Sequence, residues 1–337
     1  MVIKEDFYYN SADNLTKIHA IKWIPENEVK GILQVAHGML EHIDRYDNFA
    51  NFMASNGIVV AGNDHLGHGS SVLSEEDRGF FSQVDGNKTV IEDIRVLSEI
   101  LKEEYRDLPF FILGHSMGSF LLRQYISIYN DLDGALIVGT GFQPYALVKS
   151  GLLICKVMAT FKGWRYRSKF VNQLAIGGNN KHFEPSKTKS DWLTRDEQIV
   201  DDYIKDKRID FIFTLNAFYY MFKGMLYLYH KDYMNKVPKN LPIILLSGGQ
   251  DPVGNFGKDV RKLYDAYKIR VTDVTINLYN DDRHEILNEL DKENVYEDIL
   301  NWIYDKISNR IWQITKFSNK FLNLVMHLFV NYYIIIA

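Results

Sequence analysis

Segments with a buried-strand pattern and segments with an amphipathic-helix pattern alternate along most of this chain. Apolar runs without alternating polar residues are typical of strands buried on both faces, and apolar residues at helical spacing follow most of them. We predict core strands at 30–38, 58–64, 110–114, 134–141, 241–251 and 271–279, edge strands at 7–10 and 18–25, and helices at 46–57, 90–105, 119–130, 260–268 and 295–307. This order predicts an α/β fold, a mainly parallel central sheet with helices on both faces.

The alternation is interrupted between residues 142 and 237. No buried-strand pattern occurs there, and the segment includes the aromatic run 211–230. We interpret 142–237 as a helical cap inserted between two strands of one sheet. The chain then divides into a core at 1–141 and 238–310, the cap, and an apolar C-terminal extension at 311–337. The aromatic run could line an apolar pocket or only pack the cap against the core.

Charge and cysteine content exclude several classes of protein. The 337 residues carry a net charge of −4, so no global positive field attracts phosphates, and nucleic acid is not an expected partner. The single cysteine, Cys155, allows no internal disulfide, which fits a reducing compartment. Glu5 and Asp6 near the N-terminus, without an apolar stretch, do not match a signal peptide. We therefore expect a cytoplasmic protein.

Two segments suggest peripheral contact with a membrane. The tail at 321–337 is apolar but interrupted by polar residues, and it is short for a membrane span. In the cap, Trp164 stands beside Arg165, Arg167 and Lys169. That combination suits anionic lipid headgroups, although it is more often a solvated loop. The tail could instead be an oligomer contact or an extension that is not well ordered. We expect at most peripheral association, through the cap or the tail.

The strand expected at 110–114 runs into Gly-His-Ser-Met-Gly at 114–118, and a helical pattern follows. A serine nucleophile needs a base, donors for the oxyanion and an exposed hydroxyl. A sharp strand-to-helix turn exposes the hydroxyl, and glycines two residues to either side remove side chains that would clash. We predict that Ser116 is a nucleophile, against the alternative that it only caps the helix.

A nucleophile of this kind implies an acid and then a histidine, each after a later strand. Asp251 and His284 each follow a predicted strand, so they complete the expected triad. Asp281 and Asp282 compete as the acid, although they lie on the same loop as His284. His327 competes as the base, but it lies in the apolar tail and follows no strand.

An oxyanion hole needs two backbone N–H groups. One is expected from Met117, directly after the nucleophile, and the other from Met39, in the loop after an early strand. Gly38 lets that loop come close to the nucleophile. His37 could be mistaken for a base, but we expect it to brace the loop.

Asp64, His65 and His68 are close together in the sequence and could suggest a metal site. No second cluster of ligands accompanies them, and the neighbouring glycines indicate a turn. We therefore expect a hydrogen-bonded structural loop and no metal.

Three motifs together resemble the monoacylglycerol lipase and lysophospholipase branch of the α/β-hydrolases, which is often classified with serine aminopeptidase-like hydrolases. They are His-Gly-Met-Leu-Glu-His at 37–42, Asp-His-Leu-Gly-His-Gly at 64–69 and Gly-His-Ser-Met-Gly at 114–118. The similarity covers roughly residues 5–308. The combination is far more specific than any one motif.

The resemblance implies an α/β-hydrolase fold with a triad of Ser116, Asp251 and His284 and oxyanion donors at Met39 and Met117. It implies a cap over an acyl-binding channel and no cofactor. The substrate it implies is a small lipid or ester, a carboxylic ester of an acylglycerol or a lysophospholipid.

The resemblance also assigns support of the oxyanion loop. Glu41 and Arg45 match positions that brace this loop in relatives, beside His37 and Gly38. Leu40 is a departure, because the family usually has a second glycine there. The substitution could alter the shape of the loop near the acyl carbonyl.

Other activities on the same fold stay open. A serine aminopeptidase would need acids to hold the substrate amine, and Glu184, Asp191 and Asp196 in the cap could supply them. A short-chain carboxylesterase is a further alternative. Epoxide and haloalkane hydrolases are disfavoured because they use an aspartate nucleophile, and a non-enzymatic protein would be expected to have lost a member of the triad.

Overall fold

The computed structural model describes residues 1–312. The predicted apolar tail at 321–337, and with it His327, lies outside the described residues. The strands are β1 (Val2–Asn10), β2 (Lys17–Pro25), β3 (Gly31–Ala36), β4 (Ile58–Asn63), β5 (Phe110–His115), β6 (Gly134–Val138), β7 (Ile243–Gly248) and β8 (Val274–Tyr279). They form one sheet in the order β1-β2-β4-β3-β5-β6-β7-β8.

The sheet is mixed but mostly parallel, as the sequence predicts. β1 pairs antiparallel with β2, and β2 pairs antiparallel with β4. The remaining pairs, from β4 through β3 to β8, are parallel. The strand register brings site loops together, because Ala36 pairs with Gly114 and Gly248 pairs with Tyr279. The loops after β3 and β5 therefore emerge side by side, and so do those after β7 and β8.

Helices cover both faces of the sheet. They are α1 (Asp47–Ser55), α2 (Gly86–Glu104), α3 (Met117–Ile128), α4 (Tyr145–Lys162), α5 (Lys169–Ile176), α6 (Glu197–Lys205), α7 (Leu215–Tyr227), α8 (Tyr233–Lys236), α9 (Lys258–Lys268) and the helical residues 292–312. Alternate side chains of β5 point to opposite faces of the sheet. Phe110 and Ile112 pack with α2 and α3, whereas Phe111 and Leu113 pack with α1 and the last helix.

Within the described residues, α4 to α8 come after β6 and before β7 in the order of the chain. α4 packs against α7, where the absence of a side chain at Gly151 leaves room for the ring of Phe222. Phe218 of α7 is fully buried in the core cluster on this side of the sheet. In the described part of the chain, no helix has both the length and the apolar character that crossing a bilayer requires.

Candidate active site

Ser116 occupies a sharp turn between β5 and α3. Its backbone has φ +50° and ψ −117°, a region that non-glycine residues rarely adopt. A β-carbon at Gly118 would overlap the carbonyl oxygen of Ala36, and one at Gly114 would overlap that of Gly118. Gly118 therefore lets α3 approach β3 closely, and Gly114 leaves room for the tight turn in which Ser116 is strained.

His284 and Asp251 form a buried pair. His284 Nδ1 lies 2.9 Å from Asp251 Oδ1. The same carboxylate accepts hydrogen bonds from the N–H of Val253 at 2.8 Å and the hydroxyl of Ser247 at 3.3 Å. With Nδ1 donating to a carboxylate, Nε2 is the nitrogen left to accept a proton.

Ser116 and His284 line the same cavity. Within residues 1–312, no hydrogen bond joins the Ser116 hydroxyl to His284. Such bonds are often long before a substrate binds and tighten in the reacting complex. The absence of this bond therefore does not argue against proton transfer between the two residues.

The competing acids lie elsewhere. Asp282 is bound to Arg195 at 2.6 Å, and Asp281 is exposed. His284 is thus brought to Asp251 and to neither competitor.

The loop after β3 reaches the nucleophile. A β-carbon at Gly38 would lie only 3.0 Å from the Cβ of Ser116, so a side chain there would crowd the turn. Met39 and Met117 line the cavity with Ser116, and in the described residues neither main-chain N–H has an acceptor. Two free donors are therefore available beside the serine. Leu40, where the resemblance implies a glycine, has φ +56°.

His37 is fully buried and has both ring nitrogens engaged. Nδ1 donates to the carbonyl of Gly38 at 2.8 Å, and Nε2 accepts from the N–H of His65 at 2.9 Å. Burial lowers the pKa of His37 well below its ordinary value, so the ring is neutral. This arrangement braces the loop and leaves no nitrogen to act as a base.

A buried network of charges lies behind the turn and the loop. Glu41 is 2.8 Å from His115 Nδ1 and accepts from the hydroxyl of Tyr46 at 2.9 Å. Burial alone would raise the pKa of Glu41, but His115, Arg45 and Tyr46 lower it to about 2. Burial also opposes the charged form of His115, yet Glu41 raises its pKa. Arg45 binds both oxygens of Glu285, at 2.8 and 2.7 Å.

Three contacts of this site were not predicted from the sequence. Glu285 anchors Arg45, the ring of Trp192 lies 4.9 Å from that of His284, and the ring of Tyr203 lies under the Arg45 guanidinium at 4.8 Å. The position of Glu285 directly after His284 was the one available signal. No hydrophobic pattern in the sequence predicts that Trp192 or Tyr203 contacts the core.

The Asp64 motif forms a structural loop. Asp64 Oδ1 accepts from the N–H of Ile43 at 2.8 Å, and Oδ2 accepts from the N–H of Ser70 at 2.7 Å and from His19 at 2.8 Å. Burial lowers the pKa of His65 to about 3. In the described residues, the acidic groups close enough together to share a cation are instead Asp282, Glu289 and Asp291.

The cavity at Ser116 encloses about 1150 Å³, including space open to solvent. Its wall is largely apolar and includes residues of α3, α4, α5 and α7. The apolar lining includes Met117, Phe120, Leu147, Val148, Leu174, Ile176, Met221, Phe222 and Met225. The aromatic run at 211–230 therefore does both of the things considered for it, since part of α7 packs the core and part lines the cavity.

The acids considered for an amine subsite do not line this cavity. Asp191 accepts from the backbone of Lys187 at 2.7 Å, Asp196 caps α6, and Glu184 binds its neighbour Ser186. The carboxylates that do line it already have partners, since Glu41 binds His115 and Tyr46 and Glu285 binds Arg45.

Known proteins that are similar to this chain include lipases and an esterase. A monoacylglycerol lipase of Mycolicibacterium smegmatis is 25% identical over 284 residues, which cover 83% of this chain and 90% of that protein. A monoglyceride lipase homolog of monkeypox virus is 25% identical over 299 residues, which cover 86% and 95%. Among solved structures, a thermostable carboxyl esterase from Bacillus coagulans in complex with glycerol superposes with a TM-score of 0.85 at 29% identity, over 91% of this chain and 100% of that one.

The family match spans most of the fold. The model of the serine aminopeptidase family S33 matches residues 27–291, which include Ser116, Asp251 and His284. Together with the parallel sheet and the turn at Ser116, this match shows that the chain belongs to the serine aminopeptidase S33 family and has the α/β-hydrolase fold.

Proposed function

We propose that this protein is a serine hydrolase that cleaves carboxylic esters of acylglycerols or lysophospholipids through an acyl-enzyme. The observation that carries the proposal is that the strained Ser116 and the His284–Asp251 pair open on one largely apolar cavity. An apolar cavity suits an acyl chain, and convergent polar groups at one point suit its ester.

The proposed cycle uses only these groups. His284 Nε2 removes the Ser116 proton while the serine oxygen attacks the ester carbonyl, and the N–H groups of Met39 and Met117 stabilise the oxyanion. His284 then protonates the leaving alcohol, and a water repeats the attack to release the acid. Asp251 orients the ring and stabilises its positive charge.

The apolar wall and the engaged acids favour an ester over an amine substrate. A peptide with a free amino terminus needs an unpaired acid in the cavity, and Glu41 and Glu285 are already bound to His115 and Arg45. Two of the relatives are named as lipases of monoacylglycerols, which is the substrate class proposed here.

The segment 142–237 is proposed as the cap and as the part that contacts membranes peripherally. On α4, Leu153, Val157 and Phe161 are exposed at one-turn spacing, beside the exposed Lys149 and Lys156. The opposite face of α4 lines the cavity and packs against α7. A helix with these two faces can rest on lipid while it covers the site.

The test is kcat/KM for a long-chain monoacylglycerol, a lysophosphatidylcholine, a short-chain ester and a prolyl amide. We expect the long-chain esters to be preferred by orders of magnitude. Ser116→Ala should lower turnover by about a thousand-fold or more and abolish labelling by a fluorophosphonate. Ser127→Ala, a buried serine at the far end of α3, is the control and should keep wild-type activity. Preference for the amide would refute the ester proposal, and an active Ser116→Ala variant would refute the mechanism.

A further inference from the structure

Residues 191–195 lie against the loop that carries His284. The N–H of Glu285 donates to the carbonyl of Leu193 at 2.7 Å. The rings of Trp192 and His284 are 4.9 Å apart and inclined by 34°. The loop with the proposed base is therefore held by the segment between β6 and β7 as well as by the sheet.

Arg195 makes the charged part of this contact. Its Nε donates to Glu289 at 2.9 Å, and its Nη2 donates to Asp282 at 2.6 Å and to Asp291. The backbone N–H of Arg195 also donates to Glu289, at 3.1 Å. One guanidinium thus binds three carboxylates of a single loop, on both sides of His284.

Two of these carboxylates are almost fully buried. The side-chain exposure of Asp282 is 1% and that of Glu289 is 0%. Burial and the neighbouring Glu289 and Asp291 raise the pKa of Asp282 to about 7, although Arg195 opposes them. Arg283, the other nearby cation, directs its guanidinium to backbone carbonyls instead. Within residues 1–312, the cation that compensates this cluster is therefore Arg195.

We propose that Arg195 is a positioning residue for His284. Asp251 fixes Nδ1 of the ring, and Arg195 fixes the loop that sets where Nε2 points. Without the guanidinium, Asp282, Glu289 and Asp291 lose the donor that holds them together, and the loop shifts. A displacement of about 1 Å at a reacting group is enough to lower turnover about a hundred-fold. This inference rests on the proposed function, because it assigns His284 the role of base.

The direct test is Arg195→Gln, assayed on a soluble short-chain p-nitrophenyl ester. We expect kcat to fall about 10- to 100-fold while KM stays within about two-fold, because a positioning group acts on the transition state and not on uniform binding. Arg165→Gln is the matched control. Arg165 also joins the 142–237 segment to the core, through Asp77 at 2.7 Å, but away from the His284 loop. It should keep kcat within about two-fold.

Two further variants separate positioning from stability. Arg195→Lys keeps the charge but cannot reach three carboxylates, so kcat should fall less than in Arg195→Gln and not return to wild type. Guanidinium ion at non-denaturing concentration should restore part of kcat to Arg195→Ala and leave the kcat of Arg165→Ala unchanged. A folded Arg195→Gln with kcat within two-fold of wild type overturns the proposal. Equal losses in Arg195→Gln and Arg165→Gln also overturn it.

The rate of Ser116 labelling by a fluorophosphonate distinguishes this inference from the proposed function. If the wild-type protein neither hydrolyses esters nor labels at Ser116, the proposed function itself fails. If the wild type labels, Arg195→Gln should label at least about ten-fold more slowly. Should Arg195→Gln not fold, Arg195→Lys takes its place, and wild-type labelling together with wild-type kcat in that variant overturns the role of Arg195.

Discussion

At the scale of single residues, the site concentrates backbone strain in two non-glycine positions that line one cavity. Ser116 has φ +50° and Leu40 has φ +56°. A residue with a β-carbon pays of the order of 1 kcal/mol or more in this region, whereas glycine does not. Leu40 therefore has a backbone conformation that a glycine would adopt freely, and its side chain adds to both the strain and the lining of the cavity.

Leu40→Gly should be more stable than Leu40→Ala by about 1 kcal/mol in the free energy of unfolding. Both variants lose the leucine side chain, so the comparison isolates the left-handed conformation. At an ordinary helical position the order is reversed, and Ala54→Gly, in α1, should lose about 1 kcal/mol. Urea denaturation of the four proteins measures these differences. If Leu40→Gly were the less stable of the pair, Leu40 would not be strained.

At the scale of elements, the strands that are buried at every position are the ones that the sequence predicts best. β3 and β5 are buried at every position, so they appear as unbroken apolar runs and could be predicted. β1 extends from Val2 to Asn10, well beyond the predicted 7–10, because an edge strand leaves most of its side chains exposed and shows no clear pattern. β8 starts three residues later than predicted, at Val274, and is only half buried.

The position of a residue relative to the predicted strands also decides which parts of the site could be predicted from the sequence. Ser116, Asp251 and His284 each follow a parallel strand, so the order of strands along the chain was enough to bring them together. The contact between Arg195 and Asp282 joins residues 87 positions apart, and one of them lies in a segment without strands. The contact between Trp192 and His284 likewise joins this segment to the loop after β8. Such contacts depend on how an irregular segment before α6 lies against the loop after β8, which no local pattern records.

Gly118→Ala should abolish activity and lower stability by several kcal/mol, because the new methyl group would overlap the carbonyl of Ala36 and force α3 away from β3. Gly178 has open space around its α-carbon and an ordinary φ of −86°. Gly178→Ala is therefore the control, with stability within about 0.5 kcal/mol of wild type. Thermal unfolding and ester hydrolysis measure both variants. Retention of wild-type kcat by Gly118→Ala would show that α3 does not need this close approach.

At the scale of the whole molecule, charge and apolar exposure are unevenly distributed. Residues 134–183 include seven lysines and arginines and no acid, whereas the whole chain has a net charge of −4. Of the 22 large hydrophobic side chains exposed in the described part, ten lie between positions 142 and 174. This combination of exposed apolar side chains and positive charge complements an anionic bilayer.

Binding to vesicles of phosphatidylcholine with about 30% phosphatidylglycerol tests this surface, since each lysine near an anionic surface contributes about 1 kcal/mol. The test variant replaces Lys149, Lys156 and Lys162 with glutamate. All three lysines are exposed, and none has an ion pair in the described residues. We expect this triple variant to bind at least about 100-fold more weakly. Reversal of three other exposed lysines, Lys88, Lys239 and Lys258, is the control and matches it in net charge. The tail at 321–337 is unchanged in both, so equal binding by the two variants would place the membrane contact outside residues 134–183.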